Sequence, residues 1–316
     1  MTAAHGAPDE EHIEDTADEP DVGDESSWAA IRQVLRDPLT AFFVVFLLLI
    51  LGAALAADFV APFDPLKQSL RDRALPPLTE SARGLHFLGT DELGRDVLSR
   101  LIHGARPSLA VGLLGALGSA FIGVTAGIIA GYYGGIRDQA TMRLVDSMQA
   151  IPTLLVALFI LFLFGRGFIN LLVIFAIVRW VVYARVVRSR VLSLRESTFI
   201  LAERAIGCSD FRIITRHILP NLWSTIIVIF TLEVAVVMLA EAALSFLGFG
   251  IQPPAASWGV MMAKGRSYID SAWWLVTFPG LAIFLTVLSL NVITASMRTA
   301  LDPVHRWRWF VGTDTE

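Results

Sequence analysis

The sequence predicts an all-α membrane protein with six transmembrane helices, on three observations. The 316 residues are 55% apolar, above the roughly 45–50% of soluble domains, and the mean hydropathy is +0.62. Several apolar runs reach the ~20 residues that cross a bilayer. The stretches between them are charged and must lie outside hydrocarbon, where charges and unpaired backbone groups find no partner. The formal net charge of −4 hides a division: residues 1–27 hold ten acidic residues and no Lys or Arg, and the remainder sets 25 basic residues against 19 acidic ones, a charge of +6. The single cysteine, Cys208, excludes an intramolecular disulfide and gives no metal spacing. It reads as a small residue at a helix end.

Residues 1–27 are too acidic and too poor in apolar residues to order themselves, so a disordered tail is expected. It lacks the basic start of a secretory signal. Residues 28–38 place Trp28, Ile31, Val34 and Leu35 on one helical face, with Arg32 and Arg36 on the other. That pattern is an interfacial amphipathic helix, broken at Asp37-Pro38. The first transmembrane helix is expected at 39–61. Residues 62–106 are a long polar segment with seven basic and six acidic residues, too balanced and too long for charge to orient it. In its second part Thr90 or Asp91 is expected to cap a short helix.

The remaining five spans lie within 107–298. Span two, 107–131, carries Gly123, Gly127 and Gly131 at four-residue spacing, which lets helix backbones approach closely. A short turn with Arg137 and Arg143 follows. Span three runs to Phe164, with Asp146 in its first turn and a kink at Pro152. Span four is 168–187, span five 221–248 and span six 272–297, with an irregular loop at 249–271 and a tail at 299–316.

Between spans four and five, residues 196–220 are far more polar than their neighbours. Phe199, Ala202, Ala205 and Ile206 lie at helical spacing, Gly207 ends that turn, and Ser209 or Asp210 is placed to cap a second helix. Pro220 then starts span five. A short helix projecting from a membrane protein offers a docking face to a soluble partner. Residues 179–217 contain eight Arg against three acidic residues, which assigns this loop to the cytoplasm. Six spans then put both termini inside and segments 62–106 and 249–271 outside.

The loop ILAERAIG…HILPN resembles the EAA loop of bacterial ABC importer permeases. The motifs LGTDELGRDVLSRLIHGARPSL (88–109), GYYGG…MRLVDSMQAIP (131–152), YARVVRSRVLSLRE (183–196), LAEAALSFLGFGIQPPAASWG (239–259) and WWLVTFPGLAIFLTVLSLNVI (273–293) resemble its dipeptide/oligopeptide branch, C-type subunit, in the same order. The resemblance spans about residues 28–303. It implies a type I importer core with a cytoplasmic coupling helix. It also implies a heterodimer with a second related permease, two ATPase subunits below, a solute-binding protein delivering peptide from outside, and a bacterial inner-membrane location. No nucleic-acid partner is implied. The sequence lacks a G-x-x-x-x-G-K-(S/T) phosphate loop, so ATP and Mg belong to the partners, and this chain is expected to be non-catalytic, with no cofactor or metal of its own.

Within the loop the resemblance makes Ala202, Glu203, Arg204, Ala205, Gly207, Ser209 and Asp210 the ATPase-coupling residues, and His217, Leu219 and Pro220 the loop exit. Leu201 stands where the family often has Glu, and Glu203 where it often has Ala. Three charges lie in apolar runs: Arg179, Glu233 and Glu241. Charges there cost ~2.5–3.5 kcal/mol each on insertion scales and face a bundle interior or a wet cavity. All three are candidates for the translocation pathway; Arg179 and Glu233 are expected to meet near mid-membrane, either as a structural pair or as pathway residues attracting a peptide's ends. Two other readings compete with peptide import. One is the same architecture carrying nickel or another small peptide-like solute. The other is a proton-coupled carrier using Glu233 or Glu241, which would have no use for a coupling loop.

Overall fold

The computed structural model describes residues 37–252 and 254–301. The acidic tail, the interfacial helix up to residue 36 and the end of the C-terminal tail lie outside the described residues. Helix α1 is Pro38–Leu55, and a single turn, α2, follows at Ala57–Val60. Span one therefore starts one residue early and ends six early. The carboxylate of Asp37 accepts from Thr40 N and caps α1, with Pro38 in the first turn, where its missing N–H costs nothing.

Residues 62–96 are irregular apart from a 3-10 turn at Leu70–Asp72 and a hairpin of β1 (Thr79–Ser81) and β2 (Gly84–His86), paired Thr79 to His86. Helix α3 then runs unbroken over 37 residues, Val97–Tyr133. This corrects the expected short helix capped at Thr90 or Asp91. The cap is Asp96, whose Oδ2 accepts from Ser99 N at 2.7 Å. Asp91 instead holds the approach loop, its Oδ1 accepting from Leu93 N and Arg95 N. At 1.5 Å per residue α3 is about 55 Å long, so its first turns stand outside a ~30 Å hydrocarbon layer.

The third span departs most from expectation. The expected turn at 132–143 is helical: α4 is Gly135–Gln149 and α5 is Thr153–Phe164, bent by 86° across the break. Pro152 lacks an N–H and disfavours helical geometry at Ile151, so the chain stops and restarts rather than kinking. The 12 residues of α5 reach about 18 Å, too short to cross alone. The other long helices are α6 (Phe168–Arg195) and α8 (Asp210–Phe246), with the short α7 (Thr198–Ala205) between them. The stretch 249–271, expected as an irregular loop, holds a helix, α9 (Trp258–Gly265), capped by Ser257, and α10 is Trp274–Leu301. Among the described residues five helices are long and apolar enough to cross a membrane, and the bent pair makes a sixth if taken as one span.

Helix α3 is the central post, packed most extensively on α6 and α8. Its glycines form the seam: a Cβ on Gly123 would sit 2.3 Å from Trp180 O, on Gly127 2.7 Å from Ala184 O, and on Gly131 2.9 Å from Arg188 O. Backbones this close leave no room for a side chain, which is the use the glycine spacing announced.

Candidate functional site

The site is built where α6 leaves the apolar layer. Its last turns carry Arg185, Arg188 and Arg195. Arg188 holds Asp138 of α4 through two hydrogen bonds, and Arg185 Nη2 reaches Asp146 Oδ1 at 2.6 Å. Arg195 Nη1 donates to the carbonyls of Gly131 and Tyr132 at the end of α3, both at 3.3 Å. The free carbonyls of a helix C-terminus favour such a cation. The chain then turns at Glu196 and enters α7.

Helix α7 has one buried residue, Ile200, seated with Ile213, Ile218, Val191 and Leu222 in an apolar cluster under the loop. Its other side is open: Phe199, Leu201, Ala202, Arg204 and Ala205 are exposed, and Ile206 beyond its end is 77% exposed. Gly207 follows with φ +85°, a left-handed geometry that glycine adopts without steric cost. Ser209 occupies the cap position of α8 without a side-chain hydrogen bond, and Phe211, 77% exposed, extends the open face. The two-helix reading with a glycine break is what the structure contains.

Two site residues point elsewhere than expected. Glu203 turns into the loop: its carboxylate accepts from Cys208 Sγ at 2.8 Å and lies 3.5 Å from His217 Nε2. Beside this carboxylate the Cys208 thiol is pushed above its ordinary pKa. Asp210 accepts from Tyr132 Oη at 2.8 Å, and Arg204 stacks over the same ring at 4.8 Å from its centroid. Tyr132 was not singled out from sequence; its aromatic-polar character in GYYGG was the available signal.

Pro220 does not start span five. Helix α8 begins at Asp210 and passes through a turn of π-helix, Ile214–Ile218, where Leu219 N bonds to Ile214 O. A proline ring clashes with the carbonyl four residues back, and the wider π turn relieves it. His217 O is taken up by Asn221 Nδ2 at 2.7 Å. Leu219 packs against the apolar cluster, and Pro220 is exposed.

Within the apolar layer the structure brings Arg179 of α6 and Glu233 of α8 together. Nε and Nη2 of Arg179 donate to Oε2 and Oε1 of Glu233 at 2.7 and 2.6 Å, a bidentate pair. Glu241, two turns further along α8, is 1% exposed. Its Oε1 accepts from Ser245 Oγ at 2.6 Å and from Ser257 Oγ, beside α9, at 2.7 Å. It lies apart from the ion pair, as a tie between α8 and the loop before α9.

The comparisons with known proteins define the class. Residues 123–306 match the family described as binding-protein-dependent transport system inner membrane component, and residues 26–77 match the N-terminal transmembrane domain of oligopeptide transport permease C. The chain belongs to this family of inner-membrane ABC transport permeases. It is 43% identical over 262 residues to the di/tripeptide transport system permease protein DppC of Pseudomonas aeruginosa, covering 82% of this chain and 86% of that one. It is 40% identical to the dipeptide transport system permease protein DppC of Bacillus subtilis, covering 88% and 85%. It is 39% identical to the glutathione transport system permease protein GsiD of Pectobacterium atrosepticum, covering 86% and 89%. Its fold is similar to a chain of the MetNI methionine ABC transporter solved in inward-facing conformations, with a TM-score of 0.51 at 18% identity over 64% of this chain and 97% of that one.

Proposed function

We propose that this chain is one permease subunit of an ATP-driven importer for di- and oligopeptides. The observation that carries the reading is the exposed face of α7 and the start of α8, held to the end of α3 through Tyr132 by Arg204 and Asp210. A face presented this way transmits a push from a docked partner into the long helices. The relatives named for dipeptide, tripeptide and glutathione transport favour small peptides as cargo. The partners in this reading are a second permease, two ATPase subunits that bind ATP and Mg, and an extracytoplasmic solute-binding protein. The loop lies in the cytoplasm, as its arginines favour.

Arg179 and Glu233 join the two helices that the coupling loop connects. In this reading they hold α6 and α8 together as the loop moves, rather than binding peptide, because each of the two charges already has its partner. The whole reading is tested with the complete transporter in vesicles. Deleting Leu201–Gly207 is expected to abolish peptide uptake and to release the ATPase subunits on purification. Uptake that survives the deletion overturns it.

A further inference from the structure

The start of α8 carries charge that its surroundings leave unanswered. At this end of the bundle Arg185, Arg188 and Arg195 are each paired with a carboxylate. Glu203 is turned inward to Cys208 and His217, and Asp210 is bound by Tyr132. Arg212 and Arg216 lie four residues apart on α8, both exposed. Neither has a carboxylate within 4.0 Å among the described residues. Phe211, 77% exposed, stands beside them. We propose that residues 9–25 of this same chain dock on the Arg212–Arg216 face and give way when an ATPase subunit binds there.

The chain enters the bundle at this end. Helix α3 starts at the far end and finishes at Tyr132, against Asp210. Helix α10 also starts at the far end, where Trp274 Nε1 donates to Thr90 O, and so it finishes beside the start of α8. The first turn of α1 is joined to the last turns of α10, with Thr40 Oγ1 and Ser296 Oγ 2.7 Å apart. Its last turn is held at the far end, where Arg106 Nε donates to Ala54 O at 2.6 Å. Helix α1 packs on α10 and α10 on α8, two interhelical steps of about 8–10 Å each. Glu25 precedes Asp37 by 12 residues, a reach of about 40 Å when extended. The acidic segment can therefore span the gap with chain to spare.

The charges are complementary. Ten of the 17 residues 9–25 are acidic, and none is Lys or Arg. A block of like charge with this little apolar surface gains by pairing with an opposite charge, which is how acidic tails engage their partners. Each guanidinium can take a carboxylate through two parallel hydrogen bonds. Exposed pairs are weak one at a time, but a tethered segment is present at an effective concentration on the order of millimolar. Arg298, exposed near the end of α10, adds a cation between α1 and α8. The exchange with an ATPase rests on the function proposed above; the contact within the chain does not.

The test uses the full chain with its partner permease in phosphatidylcholine nanodiscs, carrying Cys208→Ser, Ala17→Cys and Thr215→Cys. A short bis-maleimide joins the two new thiols, and mass spectrometry reads the cross-link within one chain. Its yield is expected to fall about fivefold between about 0.1 M and 1 M salt, as the screening length shrinks from about 10 to 3 Å. Arg212→Gln with Arg216→Gln should lower it by about the same factor. Arg212→Glu and Arg216→Glu should abolish it, and adding Asp15→Lys, Asp18→Lys, Glu19→Lys and Asp21→Lys should restore it. That restoration separates a lost contact from a lost fold. Added ATPase subunits are expected to suppress the cross-link. A yield indifferent to salt or to the arginines overturns the proposal, as does a cross-link that persists with the ATPase bound. If the ATPase subunits never bind, the importer reading fails, while the salt and charge-reversal arms still decide the contact.

Discussion

At the end of the bundle that carries Asp91, Arg95, Asp96 and Arg100, the charges are inside. At the end that carries Glu203, Arg204 and His217, they sit at the surface. His86, Asp96 and Ser99 form a buried chain of hydrogen bonds, and Trp274 Nε1 and Trp258 Nε1 tie α10 and α9 to it through the carbonyls of Thr90 and Leu101. The end that carries Glu203 has staples too, but each is partly solvated. A buried polar network has few alternative arrangements, because every rearrangement strands a donor or acceptor. A solvated one exchanges its partners with water at little cost. One end of this protein is built to keep its shape and the other to be handled.

Mutations can break this contrast. The largest effect is expected from Asp96→Ala, which removes the cap of α3 and the partner of His86 together. It should cost about 3–5 kcal/mol, as losses in buried networks do, read as a fall in melting temperature of the detergent-solubilised complex. Next is Glu233→Gln, which leaves Arg179 with half a partner in the apolar layer, at about 3 kcal/mol. Replacing both residues by Ala should recover part of that stability. If the pair braces the two helices, the double variant hydrolyses ATP with less peptide moved per cycle; full uptake with lower stability sinks that role, and the same result rules out a peptide contact. The smallest effect on stability is expected from Glu203→Ala, below about 1 kcal/mol for a partly exposed contact. The thiol it releases should lose its raised pKa, so maleimide should modify Cys208 faster at neutral pH. An unchanged rate would show that Glu203 does not control the thiol.

The spans and the glycine break in the polar loop between α6 and α8 were legible because they rest on signals that local sequence carries. Long apolar runs report the bilayer, and Gly207 between two helical stretches reports the break. The glycine row of α3 was legible as a packing seam, though not its partner helix. Three features were not legible for physical reasons. Helix α3 extends beyond the bilayer through Arg100, His103 and Arg106, and polar residues in a helix read as loop when the membrane is the frame. The signal was Asp96, a cap residue three before Ser99. The break at Pro152 depends on α4 being held sideways by Arg185 and Arg188 of α6, a tertiary contact. Glu203 turned inward because Cys208 and His217 receive it, and spacing along an eight-residue helix does not choose between an inward and an outward glutamate.

The π turn ahead of Pro220 has a mechanical meaning. A π turn holds one residue more than an α turn. Closing it would rotate everything above it by about 100° and lengthen the rod by about 1.5 Å, because the surplus residue would take up its own rise. From Leu219 onward that rod carries Glu233 and Glu241, so the rotation would unseat Glu233 from Arg179 and Glu241 from Ser257. Pro220 opposes the closure, because in the tighter turn its ring would strike the carbonyl of Arg216. The proline thus works as a pawl: the surplus residue stays where it is, and the helix above it keeps its rotational setting.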